Sequence, residues 1–143
     1  MDSQGQLSAD LIFATLLIII IMGSLVTIIA DRMETVTTTE ELGNARMIAE
    51  NVAEAVNKVY AGGNGHSLII TLPADINGQN YNVTVSQNGV LININGKTGK
   101  AYTAAKRITV NTGDGLMHNG QSYNLTNVKK MDTEEYEIVI TSA

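Results

Sequence analysis

LIFATLLIIIIMGSLVTIIA, Leu11 to Ala30, is the stretch on which the reading of this chain turns. Its twenty residues carry no charge, and acids bracket the run at Asp10 and Asp31. At 1.5 Å per residue such a helix is about 30 Å long, the thickness of a bilayer's hydrocarbon core. Buried helices of soluble domains are usually shorter or keep a polar stripe. The run therefore predicts a membrane helix, and the flanks decide what kind of protein it serves.

The rest of the 143 residues suffices for one modest extracytoplasmic domain. Glycine, asparagine and threonine gather in the second half, as expected of short strands and turns. The chain has no cysteine, which excludes a disulfide framework and a thiolate metal site. A net charge of −5 leaves no basic stripe to neutralise phosphates, so nucleic acid is not an expected partner. Lys97, Lys100, Lys106 and Arg107 lie close in sequence and read as a solvated face.

Ordinary secretion fits the N-terminus badly. A secretory signal has a basic start, a short apolar core and a small-residue cleavage site. Here MDSQG has no Lys or Arg, the apolar run is too long, and Ile28-Ile29-Ala30 makes a poor cleavage site. What stands before the run is Gly5, then Gln6-Leu7-Ser8-Ala9-Asp10, then Leu11 onward. This order resembles the class III signal peptides of archaeal type IV pilins, where a small residue precedes Gln-x-Ser-x-acid and the membrane helix follows at once. The departures are Asp10 where Glu is usual and no basic residue before Gly5.

The resemblance implies cleavage between Gly5 and Gln6 by a prepilin peptidase on the cytoplasmic face, with Ser8 and Asp10 serving recognition and assembly. It also implies polymerisation with identical or related subunits through the retained helix, with adhesion as the usual role. The expected divisions are a leader over residues 1–5, a transmembrane and polymerisation helix over 6–31, an amphipathic extension over 32–61, and a β-rich extracellular head over 62–143.

Beyond Asp31 the run from Met33 to Thr39, with Val36 and several threonines, favours helix only weakly. Leu42, Ala45, Ala49, Val52, Val56 and Val59 then recur at steps of three and four, with Glu50, Glu54 and Lys58 opposite. Glu54 and Lys58 form a well-oriented i,i+4 pair, and Gly62-Gly63 ends the pattern. Continuity of the two halves predicts a spine of roughly fifty residues, about 75 Å long. A coiled-coil dimer is the alternative for the outer half, but the pattern is under three heptads and sets small alanines on the seam. The fold class expected is α+β, a long helix with a small antiparallel sheet packed on its outer half, as the pilin resemblance also implies.

Strand signals begin at 67–72 and close at Pro73. The clearest hairpin is Tyr81 to Asn95, with Asn88-Gly89 as a type I′ turn. That turn sets Val85 opposite Ile92 and Val83 opposite Ile94 on one face, and Thr84 opposite Asn93 and Asn82 opposite Asn95 on the other. Further strands are predicted over 106–110, 123–128 and 136–141. Asn77-Gly-Gln-Asn-Tyr-Asn-Val-Thr84 and Asn119-Gly-Gln-Ser-Tyr-Asn-Leu-Thr126 agree at six of eight positions, suggesting two similar turn-then-strand units. Each ends in an Asn-x-Thr sequon, so Asn82 and Asn124 are candidate N-glycosylation sites on polar strand faces.

No catalytic constellation stands out, and neither an enzyme nor a cofactor is expected. His66 and His118 sit in Gly- and Asn-rich stretches without a spaced partner and read as solvated loop residues. Gly96-Lys97-Thr98 matches the end of a phosphate loop, but the required earlier glycine is Leu91. Asn111 to Gly115 is a turn without the acidic spacing of a calcium loop, and Glu134, Glu135 and Glu137 read as a solvated edge. The functional expectation is a structural subunit, held in the cell membrane as a precursor and mature in a surface filament. The alternative is a membrane-anchored extracytoplasmic binding module that never polymerises.

Overall fold

The computed structural model describes residues 3–130 and 135–143, so Glu134 lies outside the described residues. A single helix, α1, runs Ser3–Gly62. The β-branched run after Arg32 does not break it: the Thr35 and Thr39 hydroxyls donate to the carbonyls of Asp31 and Thr35, both at 2.9 Å, so side chains that could compete with the helix bond back onto it. Met1–Thr39 forms one compact unit and Glu40–Ala143 a second.

Within the second unit the helix residues present the expected apolar face. Ala45, Ala49, Val52, Val56 and Val59 are buried, and Ile48, Ala53 and Ala55 widen the stripe, while Leu42 is only half-buried. The Glu54 to Lys58 pair forms at 2.7 Å on the exposed side. Gly63, at φ +77°, supplies the left-handed residue that ends the helix.

Among the described residues eight strands follow: β1 Ser67–Thr71, β2 Asn82–Ser86, β3 Gly89–Ile94, β4 Lys97–Ala101, β5 Ile108–Asn111, β6 Met117–His118, β7 Ser122–Lys129 and β8 Tyr136–Ser142. They make two four-stranded sheets, in the orders β1-β7-β8-β5 and β4-β3-β2-β6. All pairs are antiparallel except β5 with β8, which is parallel. The head is thus antiparallel-rich rather than purely antiparallel. Both sheets and the helix face feed one core, with Val83, Ile92, Ile94, Met117, Tyr123, Leu125, Ile138 and Ile140 fully enclosed.

The β2–β3 hairpin keeps its expected faces but changes its turn. Val85 pairs with Val90 and Val83 with Ile92, a register two residues from the one set by an Asn88-Gly89 turn. The bend falls on Gln87-Asn88, neither of which has positive φ, so the turn is not type I′. A slip of two conserves which side chains face inward, whereas a slip of one would have inverted them. Gly89 is instead a close-approach residue, because a Cβ there would come within 2.2 Å of the Ala101 carbonyl oxygen on β4. The left-handed Asn-Gly pairs occur elsewhere: Asn95-Gly96 (φ 49° and 76°) joins β3 to β4, and Asn77-Gly78 (51° and 76°) closes the Ile76–Gln79 bridge.

The internal echo corresponds to two turn-then-strand units that touch each other. Its tyrosines are both buried, with the Tyr81 hydroxyl donating to the Pro73 carbonyl at 2.7 Å. The Asn119 amide donates to the Asn80 side chain at 3.1 Å and also to the Ala74 carbonyl, and Gly120 N donates to Pro73 O at 2.9 Å. The first unit enters β2 and the second β7, one in each sheet.

Candidate functional site

Along the apolar run of α1 every residue from Ala9 to Met33 is exposed. Between Leu11 and Ile29, fourteen large apolar side chains stand 50–71% exposed, uncovered by any other of the described residues. Removing that many from water is worth on the order of 20 kcal/mol or more. The hydroxyls in the run present no spare donors: Thr15 donates to Leu11 O at 2.7 Å, Ser24 to Ile20 O at 2.9 Å and Thr27 to Gly23 O at 3.1 Å. With backbone and side-chain donors both satisfied within the helix, its flank can enter hydrocarbon without an orphaned polar group. Its mean hydropathy of 2.8 makes it long and apolar enough to cross a membrane.

The sequence-predicted residues at the start of this helix are Gly5, Gln6, Ser8 and Asp10. All four have helical backbone, and Asp10 is exposed at the entry to the apolar run. The two candidate acceptor asparagines lie far apart in topology. Asn82 is exposed at the start of β2, whereas Asn124 is half-buried in β7, between β1 and β8.

Several polar side chains are less solvated than their sequence context implied. His118 belongs to β6, where its Nε2 lies 2.7 Å from Asp114 Oδ2 and its Nδ1 lies 3.2 Å from Asn82 Oδ1. The Leu116 amide, donating at 3.0 Å, and His118 hold the Asp114 carboxyl below its usual range. The expected solvated face of Lys97, Lys100, Lys106 and Arg107 divides among different partners. Lys97 is half-buried and reaches Glu41 at 3.1 Å, Lys100 stands over the Tyr102 ring at 4.9 Å, and Arg107 meets Glu135 at 2.5 Å. Of these four, Lys106 is exposed and makes no such contact among the described residues.

Glu137 is the clearest correction, since it is buried at 8% exposure rather than solvated. On the interior strand β8 it is bracketed by Lys130, whose Nζ lies 2.7 Å from Oε2, and by the hydroxyl of Thr109 on β5. Those two hydrogen bonds hold its carboxyl below the usual value. Burial pushes the Tyr81 phenol up to about 12, which keeps it a neutral donor. Asn127 had no sequence signal at all: fully buried, it donates from Nδ2 to the carbonyls of Val59 at 3.2 Å and Tyr60 at 3.1 Å, closing the end of α1.

Among the described residues no group of three or more His, Cys, Asp or Glu could hold a metal ion. No family model matches the chain, and neither a curated protein nor a solved structure matches it.

Proposed function

We propose that this chain is the structural subunit of an archaeal type IV pilus-like surface filament, made as a membrane precursor, cut between Gly5 and Gln6, and polymerised through its helix. The observation that carries the reading is the uncovered apolar flank from Leu11 to Ile29 on a helix whose outer residues already anchor a self-contained head. Such a flank needs lipid before assembly and other apolar helices afterwards, and its internally satisfied hydroxyls suit both settings. The Gly5-Gln6-x-Ser8-x-Asp10 order supplies the processing signal. Adhesion is the role this architecture would serve, with the head presented outward.

Two measurements test the reading. Shearing cells and collecting filaments should recover the chain as a major or minor component, whereas recovery only from membranes would favour the unpolymerised binding module. Mass spectrometry of the recovered protein should find Gln6, free or cyclised to pyroglutamate, as its first residue. A start at Met1 or Asp31 would refute processing by a prepilin peptidase.

A further inference from the structure

The two sequons, Asn82-Val83-Thr84 and Asn124-Leu125-Thr126, are close to identical as sequences but not as acceptors. Both asparagines have buried neighbours, Tyr81 and Val83 for one and Tyr123 and Leu125 for the other, so the difference lies in the ladder and in the side chain. Asn82 is the first residue of β2, paired with Asn93 and with His118 of the two-residue edge strand β6. Lifting it out frays one strand end. Asn124 is the third residue of the eight-residue β7 and is paired on both sides, with Ile69 and Thr141. Lifting it out opens the middle of a sheet, and interior ladders open far less often than strand ends.

The side chains point the same way. Asn82 and Thr84 are exposed, and the Asn82 amide nitrogen makes no hydrogen bond among the described residues, its Oδ1 alone facing His118. Asn124 and Thr126 are half-buried, and Asn124 Oδ1 is enclosed without a partner. We propose that Asn82 is the N-glycosylation acceptor of the folded chain and that the fold withholds Asn124. In the transfer, Asn82 Nδ2 attacks the anomeric carbon of a lipid-phosphate-linked sugar. The new carbon–nitrogen bond replaces the carbon–oxygen bond to phosphate, the lipid phosphate leaves, and one amide proton passes to a base of the membrane transferase.

The inference rests on one part of the filament reading only, the placement of the head outside the cytoplasm. It is therefore tested on the membrane and sheared fractions separately, so that a chain left uncut at Gly5 or unpolymerised can still report on Asn82. Glycopeptide mapping of the full chain from its producing cells should find sugar at Asn82 and none at Asn124. N82Q should abolish the mass increment and N124Q should leave it unchanged. Synthetic peptides spanning 77–87 and 119–129, offered to the same cells' membranes with their own lipid-linked sugar, should both be accepted. Sugar at Asn124, no sugar at either site, or refusal of the 119–129 peptide would each overturn the proposal, the last because selection would then lie in the sequence and not in the fold.

Discussion

Truncating Asn127 to alanine should loosen the join between the end of α1 and the sheet that holds it. The last carbonyls of any helix lack intrahelical donors, and here no basic side chain occupies the last turn to serve them. Asn127 reaches across from β7 to bind two of them, while its own backbone accepts from Gly65 N at 2.8 Å and donates to His66 O at 2.9 Å. The alanine would delete both side-chain bonds, take from the buried Val59 carbonyl the Asn127 donor, leave the half-buried Tyr60 carbonyl only Gly63 N at 3.4 Å, and open a small void. Two such losses amount to about 2–4 kcal/mol. For a head of this size that is a fall in Tm of about 10 °C or more. Thermal and urea unfolding of the full chain in detergent, followed by near-ultraviolet circular dichroism of the head tyrosines, measures it. Asn93→Ala, at an exposed position on β3, is the control and should stay within about 0.5 kcal/mol of the parent. A loss below about 1 kcal/mol in Asn127→Ala would refute the capping role, since one net hydrogen bond alone accounts for that much.

The Glu137 carboxyl, held below its ordinary value of 4.5 chiefly by Lys130 and then by Thr109, stabilises the head fully above that value and loses its contribution as the pH falls through the folded one. Glu137→Gln should therefore flatten the acid limb of the stability profile, and an unchanged limb in denaturation curves at graded pH would contradict this. Gly99→Val should destabilise by about 1–3 kcal/mol, because even a Cβ there meets Ile92 Cγ2 at 2.8 Å and the Arg46 backbone nitrogen at 3.2 Å; equal urea midpoints would show that the helix can back away from β4. Asp10, near the edge of the apolar run, is proposed to pair with the amine of Gln6 on a neighbouring subunit, which would offset the desolvation of both charges. Asp10→Ala should insert and be cut normally yet stay out of filaments formed beside the parent chain, and normal incorporation would leave the residue only a helix cap.

What could be read in advance follows a physical divide. The helix, its apolar face, its Glu54–Lys58 pair and its glycine stop are local or periodic features, legible from spacing alone. The inward and outward faces of β2 and β3 were legible too, because parity survives an error of two in register. The turn itself was not, since Asn-Gly occurs several times and only long-range contact distinguishes them: Gly89 is needed for the approach of Ala101, while Asn77 and Asn95 take the left-handed turns. Lys97 read as solvated because Glu41 reaches it from the helix, and Glu137 and His118 did so because each has one partner on a distant strand, Thr109 on β5 and Asn82 on β2, while the nearer ones, Lys130 and Asp114, are brought in by turns that spacing does not reveal. The parallel β5–β8 pair and the short strand β6 were likewise invisible, one lacking a turn signal and the other being two residues long.

The position of β8 also sets a timetable. It lies between β7 and β5, and β5 has no other partner in its sheet. A chain emerging from its amino end can assemble the β2–β3–β4 meander early, but β5 waits until residues near Ser142 have been made. Until then the edge of β7 that receives β8 stays unpaired, and the incomplete head is vulnerable to being held or degraded. The sheet thus cannot close before β8 has been made, and without β8 it would be left with a gap between β7 and β5.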